Sequence, residues 1–193
     1  MLTKFKLVLP LLMLMMMSCT RSPEPNFFVL NPIKLSTHSN SGQLLHIGID
    51  PLETPPYIQK PQLALRLANH QVDYDEYNRW AEQIDKNIAR VIEANLRSML
   101  KNTIVETSPW PSGFRPNYRL QINIVRFEAK SQGYSVLEAS YQLVDRSGEK
   151  TITKQTVSYK RRLTNLAPQN IVASMNANLT ALSRHIARHI KKH

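Results

Sequence analysis

Apolar and polar positions alternate with period two in several stretches of this chain and recur at helical spacing in two others, and the two patterns predict its elements. Residues 27–30 (Phe-Phe-Val-Leu) read as a first strand stopped by Asn31-Pro32, and residues 36–42 as a Ser/Asn/Gly loop. Leu45, Ile47 and Ile49 alternate with His46 and Gly48, a half-buried strand ending at Asp50-Pro51. After a Pro-rich turn, Leu63, Leu65 and Leu67 alternate with polar or small residues, and 71–74 has room for a short further strand. Asp73 with Glu76 three residues later resembles a capping box, and Tyr77, Trp80, Ala81, Ile84, Ile88, Val91, Ile92, Leu96 and Met99 then recur at helical spacing. The pattern therefore predicts one long amphipathic helix ending near residues 100–101. A Pro-rich loop at 107–116 leads into a strand at 118–125, a second containing Leu137 to Leu143, a hairpin at Asp145-Arg146-Ser147-Gly148 and a third strand at 152–159. A second helix follows Pro168, with Ile171, Met175, Leu179, Leu182, Ile186 and Ile190 on one stripe.

Strands, helix, three-strand meander, helix is an α+β order, and two long amphipathic helices on one face of a mainly antiparallel sheet bury every stripe. No internal repeat and no linker divides it, so residues 26–193 are expected to form a single domain.

The start of the chain changes this picture. Met1 to Lys6 is basic, an apolar run over 7–17 is interrupted by Pro10, and Ser18-Cys19 follows, the order of a secretory signal. The run is well short of the roughly 20 residues that span a bilayer. Cys19 is the chain's one cysteine, so it excludes an internal disulfide, a CxxC pair and a cysteine-rich zinc site. Its place directly after the apolar run resembles the lipobox of bacterial lipoproteins, with Met16 and Met17 where Leu and Ala or Ser are usual. That resemblance implies cleavage after residue 18, a covalent lipid on Cys19 and a short tether at 19–25. It also implies sorting to the outer membrane, since Thr20 stands where Asp signals inner-membrane retention. Several acyl chains at about 0.8 kcal/mol per CH₂ make such an anchor stable.

The net charge is +11, and cleavage would remove only Lys4 and Lys6 of its 25 basic residues. In a cytoplasmic protein such a balance suggests nucleic acid. An exported, tethered domain instead meets anionic phospholipid and acidic protein faces, so no nucleic-acid partner is expected. Five scattered glycines build no phosphate loop or dinucleotide fingerprint. There is no Gly-x-Ser-x-Gly elbow, and Asp73, Asp75 and Glu76 are accounted for by helix capping, so no catalytic residue is assigned and no enzyme is expected.

Several segments together resemble the PqiC family of auxiliary lipoproteins from bacterial MCE-type (Pqi) intermembrane transport systems. They are Phe27-Phe28-Val29-Leu30, then Ile47-Gly48-Ile49-Asp50-Pro51-Leu52 running into Pro56-Tyr57-Ile58-Gln59-Lys60-Pro61-Gln62-Leu63, and Asn78-Arg79-Trp80-Ala81-Glu82. Asn95-Leu96, Tyr118-Arg119-Leu120 with Arg126-Phe127, and Leu182-Ser183-Arg184-His185-Ile186-Ala187 complete them. The chain departs from the family at Gln83, where Pro is frequent, and at Lys60, where Arg is usual. The resemblance implies a non-enzymatic lipoprotein at the outer membrane that docks on an MCE-domain tunnel subunit, supports envelope integrity and self-associates into a ring. A structural or assembly lipoprotein of the envelope, without lipid transfer, is the alternative.

Trp110, between Pro109 and Pro111 and near Phe114, suits a partner surface, as does Tyr57 among Pro55, Pro56 and Pro61. For each, a loop folded back over the core is the competing explanation. Trp80, at helical spacing, is expected in the core. His185, His189 and His193 recur every four residues, but with Arg184, Arg188, Lys191 and Lys192 among them they are expected to form a solvated basic helix end rather than a metal site. No metal and no cofactor beyond the Cys19 lipid is expected. Lys160-Arg161-Arg162 reads as a solvated strand end or an anion-facing patch.

Overall fold

The structure is a computed structural model, and it describes residues 23–34, 44–68 and 70–192. The expected signal peptide, Cys19 and the expected loop at 36–42 lie outside the described residues. The elements are β1 (Asn26–Phe28), β2 (Leu45–Ile49), β3 (Gln62–Arg66), β4 (Val72–Trp80), α1 (Ile84–Met99), β5 (Thr103–Thr107), β6 (Tyr118–Lys130), β7 (Tyr134–Asp145), β8 (Thr151–Arg162) and α2 (Pro168–Ile190), with a 3₁₀ turn at Pro56–Ile58. They form an α+β fold with a mixed eight-stranded sheet.

Strand β6 organises that sheet. One of its edges pairs antiparallel with β7 along its whole length, and β7 pairs likewise with β8. Its other edge is divided. The first residues of β6 pair parallel with β2, which in turn pairs parallel with β5, while its last residues pair parallel with β3. Strand β3 continues outward to β4 in antiparallel pairing and β4 to β1 in parallel pairing. Between the two halves the chain keeps to the same edge: Glu53 accepts from the Ile124 amide at 2.8 Å and donates to the Ile122 carbonyl at 3.1 Å. Only the turn after Pro55 lifts it away before β3.

Both helices lie on one face. They pack on each other, α2 also against β6, β7 and β8, and α1 against β5. Ile84, Ile88, Val91, Ile92 and Leu96 of α1 meet Leu179, Leu182 and Ile186 of α2 above Ile47, Ile49, Leu120, Ile124, Leu137 and Leu143 of the sheet, and all are buried. Pro168 begins α2 at a position where its missing N–H costs nothing, and Arg188 and His189 lie in its last turn. Asparagines on the helices tie down the segment after β1. Asn87 accepts from the Leu30 amide at 2.7 Å and donates to its carbonyl at 3.2 Å, while Asn95 accepts from the Ile33 amide at 2.9 Å and Asn176 from the Asn31 amide at 3.0 Å. The segment thus finds on the helices the partners that a strand finds in a sheet.

Three boundaries differ from the sequence expectation. The first helix begins at Ile84, not near Asp73, because residues 72–80 are strand β4 held between β1 and β3. The carboxylate that binds backbone amides here is Asp75, not the expected Asp73, and it does so within a strand: its Oδ1 accepts from the amides of Tyr77 and Asn78, beside the register shift between Gln62 and Leu63. Strand β6 runs on to Lys130, past the point where alternation stops, because a bulge between Ile124 and Arg126 shifts the inward positions from Ile124 to Phe127. Strand β5, with adjacent Ile104 and Val105 rather than alternation, has no period-two signature; parallel pairing with β2 defines it.

Candidate functional site

The helices leave the opposite face of the sheet open, and polar side chains of β6 and β7 such as Arg119, Gln121, Gln142 and Arg126 fall there, whereas Ser135 and Tyr141 meet α2. Two clusters stand at opposite ends of β6 on that face.

At the start of β6, Arg119 grips Asp50 through two bonds, Nε to Oδ1 at 3.1 Å and Nη2 to Oδ2 at 2.7 Å, and Gln121 adds a third at 3.0 Å. Gln142 of β7 donates to Gln121. The loop before β6, which contains a cis Ser108–Pro109 bond, folds back over this cluster. Trp110 lies against Gly48 of β2, donates from Nε1 to the Ile49 carbonyl at 3.3 Å, and has the Arg119 guanidinium 5.8 Å from its ring centroid. A Cβ on Gly48 would stand 2.7 Å from Trp110 Cζ2, so only glycine admits the indole here. Phe114 follows at 6.1 Å from Trp110 and stacks on His46 at 5.5 Å. Both Trp110 and Phe114 remain partly exposed. Beside them Asp50 to Glu53, Gln121, Asn123, Ser140, Gln142 and Lys154 line an open groove of about 570 Å³.

At the far end of β6, Glu128 has no exposed surface, and its carboxylate is shared by Arg66 Nε at 2.6 Å and the Tyr57 hydroxyl at 2.8 Å. The Tyr57 hydroxyl is pushed up to about 12, first by burial and then by its bond to Glu128. Tyr74 donates to the Tyr57 carbonyl at 3.1 Å and Lys60 lies over the Tyr74 ring. Beyond it, Tyr134 is covered by Lys160 Nζ at 3.8 Å and Lys130 Nζ at 5.6 Å from its centroid.

Trp110 and Phe114 are thus brought together, while Tyr57 stands on the order of 25 Å away along β6. Trp80 is buried, in a strand rather than a helix. His185 and His189 stack at 4.6 Å beneath Tyr141, whose hydroxyl is 3.0 Å from His189 Nδ1; His193 lies outside the described residues. Burial, followed by the charges of His189, Arg188 and Lys192, lowers the His185 pKa. Among the described residues, no three His, Cys, Asp or Glu side chains are placed to hold a metal ion, and no helix is long and apolar enough to cross a membrane. The clusters around Glu128 and Asp50 were not foreseen in sequence: the partners lie about 60 to 70 residues apart, and only the pairing of β2 and β3 on one edge of β6 joins them.

The fold is shared with solved proteins. One, described only as an uncharacterized protein, is 17% identical and superposes with a TM-score of 0.73 over 87% of this chain and 99% of its own. Another, XCC0632 from Xanthomonas campestris, of the family DUF330, is 13% identical with a TM-score of 0.65 over 86% of this chain and 98% of its own. Among curated protein sequences no relative matches. Residues 28–187 match the model of the ABC-type transport auxiliary lipoprotein component family, and the chain belongs to that family. It is accordingly an auxiliary lipoprotein of a transport system.

Proposed function

We propose that this protein is the outer-membrane lipoprotein of an MCE-type (Pqi) intermembrane lipid transport complex. Cys19 bears the lipid after cleavage of residues 1–18, residues 19–25 form the tether, and the domain from residue 26 onward docks without catalysis on the MCE-domain tunnel subunit, as a ring of copies. The observation that carries this reading is the family match, which spans 28–187 and so covers nearly everything downstream of Cys19. The PqiC-like segments in the sequence narrow it from transport in general to the Pqi system. Trp110 and Phe114 are the contact residues we assign, because they are partly exposed and aromatic, Trp110 being backed by Gly48 and Arg119 and Phe114 by His46. Tyr57, also a candidate from sequence, has its hydroxyl committed to Glu128 and supports that end from within.

The test is affinity capture of the C-terminally tagged full chain from membranes in mild detergent, with mass spectrometry of what copurifies. Recovery of an MCE-domain protein, reduced by Trp110→Ala with Phe114→Ala, is expected. Recovery of cell-wall or outer-membrane assembly proteins alone would overturn the transport reading in favour of a scaffold. Cys19→Ala should abolish acylation and release the chain from the membrane.

A further inference from the structure

Strand directions fix the end of the sheet from which the N-terminal segment arrives. Strand β1 runs parallel to β4 and β4 antiparallel to β3, which is parallel to β6. The chain before Asn26 therefore enters from the end where Arg66, Lys130, Tyr134 and Arg162 stand in register across β3, β6, β7 and β8. Phe27 is level with Arg79, the partner of Gln62, and from Gln62 to Arg66 the sheet rises about 13 Å. Seven residues from Cys19 to Asn26 reach at most roughly 24 Å. At full stretch a lipid on Cys19 would reach about 10 Å beyond this end, enough for this end to face the bilayer.

That end is basic on the open face. Lys130 and Lys160 lie over the Tyr134 ring and Arg162 is its register partner on β8, while Arg161, opposite Ser135, alternates to the other face. Among the described residues none of these four has a carboxylate within ion-pair distance. Of the acidic groups nearby, Glu128 is buried and held by Arg66 and Tyr57, Glu138 is paired with Arg126, and Asp73 lies on β4, on the other side of β3. The two lysines flanking Tyr134 are pre-positioned by its ring, so they lose less freedom on meeting a phosphate than free surface lysines do.

We propose that this end of the sheet is a docking surface for anionic phospholipid headgroups, with Lys130, Lys160 and Arg162 as the contacts, and that it orients the domain on the bilayer carrying its anchor. The proposal rests on lipidation of Cys19 for the choice of a membrane over an acidic protein. Orientation follows directly: the Trp110 and Phe114 end of β6 is turned away from the membrane, toward whatever approaches across the aqueous space.

The full chain as Cys19→Ser, which has no acyl anchor, is to be sedimented with vesicles of phosphatidylcholine alone and of phosphatidylcholine mixed with phosphatidylglycerol. Binding to the mixed vesicles only, weakened by added salt, is expected. The combined Lys130→Glu, Lys160→Glu and Arg162→Glu variant should bind about a hundredfold more weakly, at roughly fivefold for each basic residue near an anionic surface. The milder pair Lys160→Gln and Arg162→Gln, whose fold is checked by its thermal midpoint, should lose about 25-fold by the same rule. Arg146→Glu with Lys154→Glu, charges at the other end, should bind as the parent does. Equal binding to both vesicle types, undiminished binding of the Lys160/Arg162 pair, or an equal loss in the Arg146/Lys154 control would overturn the docking surface. The mass of the N-terminal peptide from the wild-type chain reports acylation separately, so failure of the anchor and failure of the surface give different results.

Discussion

Glu128, with no exposed surface, and Arg66, with about a fifth of its side chain exposed, form an ion pair of 2.6 Å that the chain assembles from residues 62 positions apart. Removing one member leaves a buried charge. Arg66→Ala is expected to cost about 3 kcal/mol in denaturant unfolding, while the double change Arg66→Met with Glu128→Leu should recover most of it. A double variant as unstable as Arg66→Ala would show that lost packing, not the stranded carboxylate, sets the cost.

Tyr57 carries a pH dependence of its own. Its hydroxyl is raised to about 12, so above the ordinary tyrosine value of about 10 the unfolded chain holds fewer protons than the folded one. Stability contributed by this group is complete below pH 10 and is lost as pH rises toward 12. Tyr57→Phe should flatten that alkaline limb in urea titrations, at a cost near neutrality of about 1.5 kcal/mol for the lost bond to a charged acceptor.

His185 acts in the opposite direction on the pH scale. Its pKa is lowered by burial and then by His189, Arg188 and Lys192, and its Nε2 is buried without a hydrogen-bond partner. Below about pH 6.5 the unfolded state therefore takes up a proton more readily, and stability falls with acidification. Thermal midpoints at pH 7.5 and 5.5 should differ less in His185→Phe than in the parent; an unchanged difference would assign the acid limb to other groups.

Gly48 and Trp110 are in contact so close that the glycine admits no side chain. Gly48→Ala should displace the indole and cost about 1–3 kcal/mol, with a red shift of tryptophan emission. Adding Trp110→Ala should remove the steric part, so a thermodynamic cycle between the two is expected to be strongly non-additive. Additive effects would mean that the loop shifts aside without strain.

The asparagine ties offer a fifth comparison. Asn87→Ala leaves both polar groups of buried Leu30 without their partner and should destabilise by about 2 kcal/mol, with faster amide exchange at Leu30. Asn26→Ala, whose bond to Asn78 is exposed, should cost less than about 0.5 kcal/mol.

What the sequence revealed and what it hid follow from the range of the interactions. The stripes of α2 and of α1 beyond Ile84 are local signals, and from Ile84 onward both helices stand where they were expected. The β7–β8 hairpin was legible because Asp145 and Gly148, with φ of +85° at the glycine, encode their turn locally. Residues 73–81 misled because Asp75 caps backbone amides in a strand irregularity much as it would at a helix start, and only β1 and β3 decide between the two. Parallel pairing left no mark on β5 at all. The aromatic residues at 110 and 114 were visible as candidates, but nothing local ties Trp110 to Gly48 or Tyr57 to Glu128. Those contacts exist only once β6 is in place.

The divided edge of β6 also sets the order in which this chain acquires its shape. Every residue of β1 to β5 is made, and passes any pore, before Tyr118 does, and what it can build alone is the β3–β4 pair and the short parallel ladders of β1 with β4 and β2 with β5. The two halves of the sheet share no strand pairing until β6 arrives, and the β6 edges need β7 soon after. A chain that emerges from its N-terminus therefore stays open for most of its passage. Late, long-range closure of this kind is slow and leaves strand edges unpaired. It also keeps the leading half threadable, which fits the export proposed from the signal-like start of the chain.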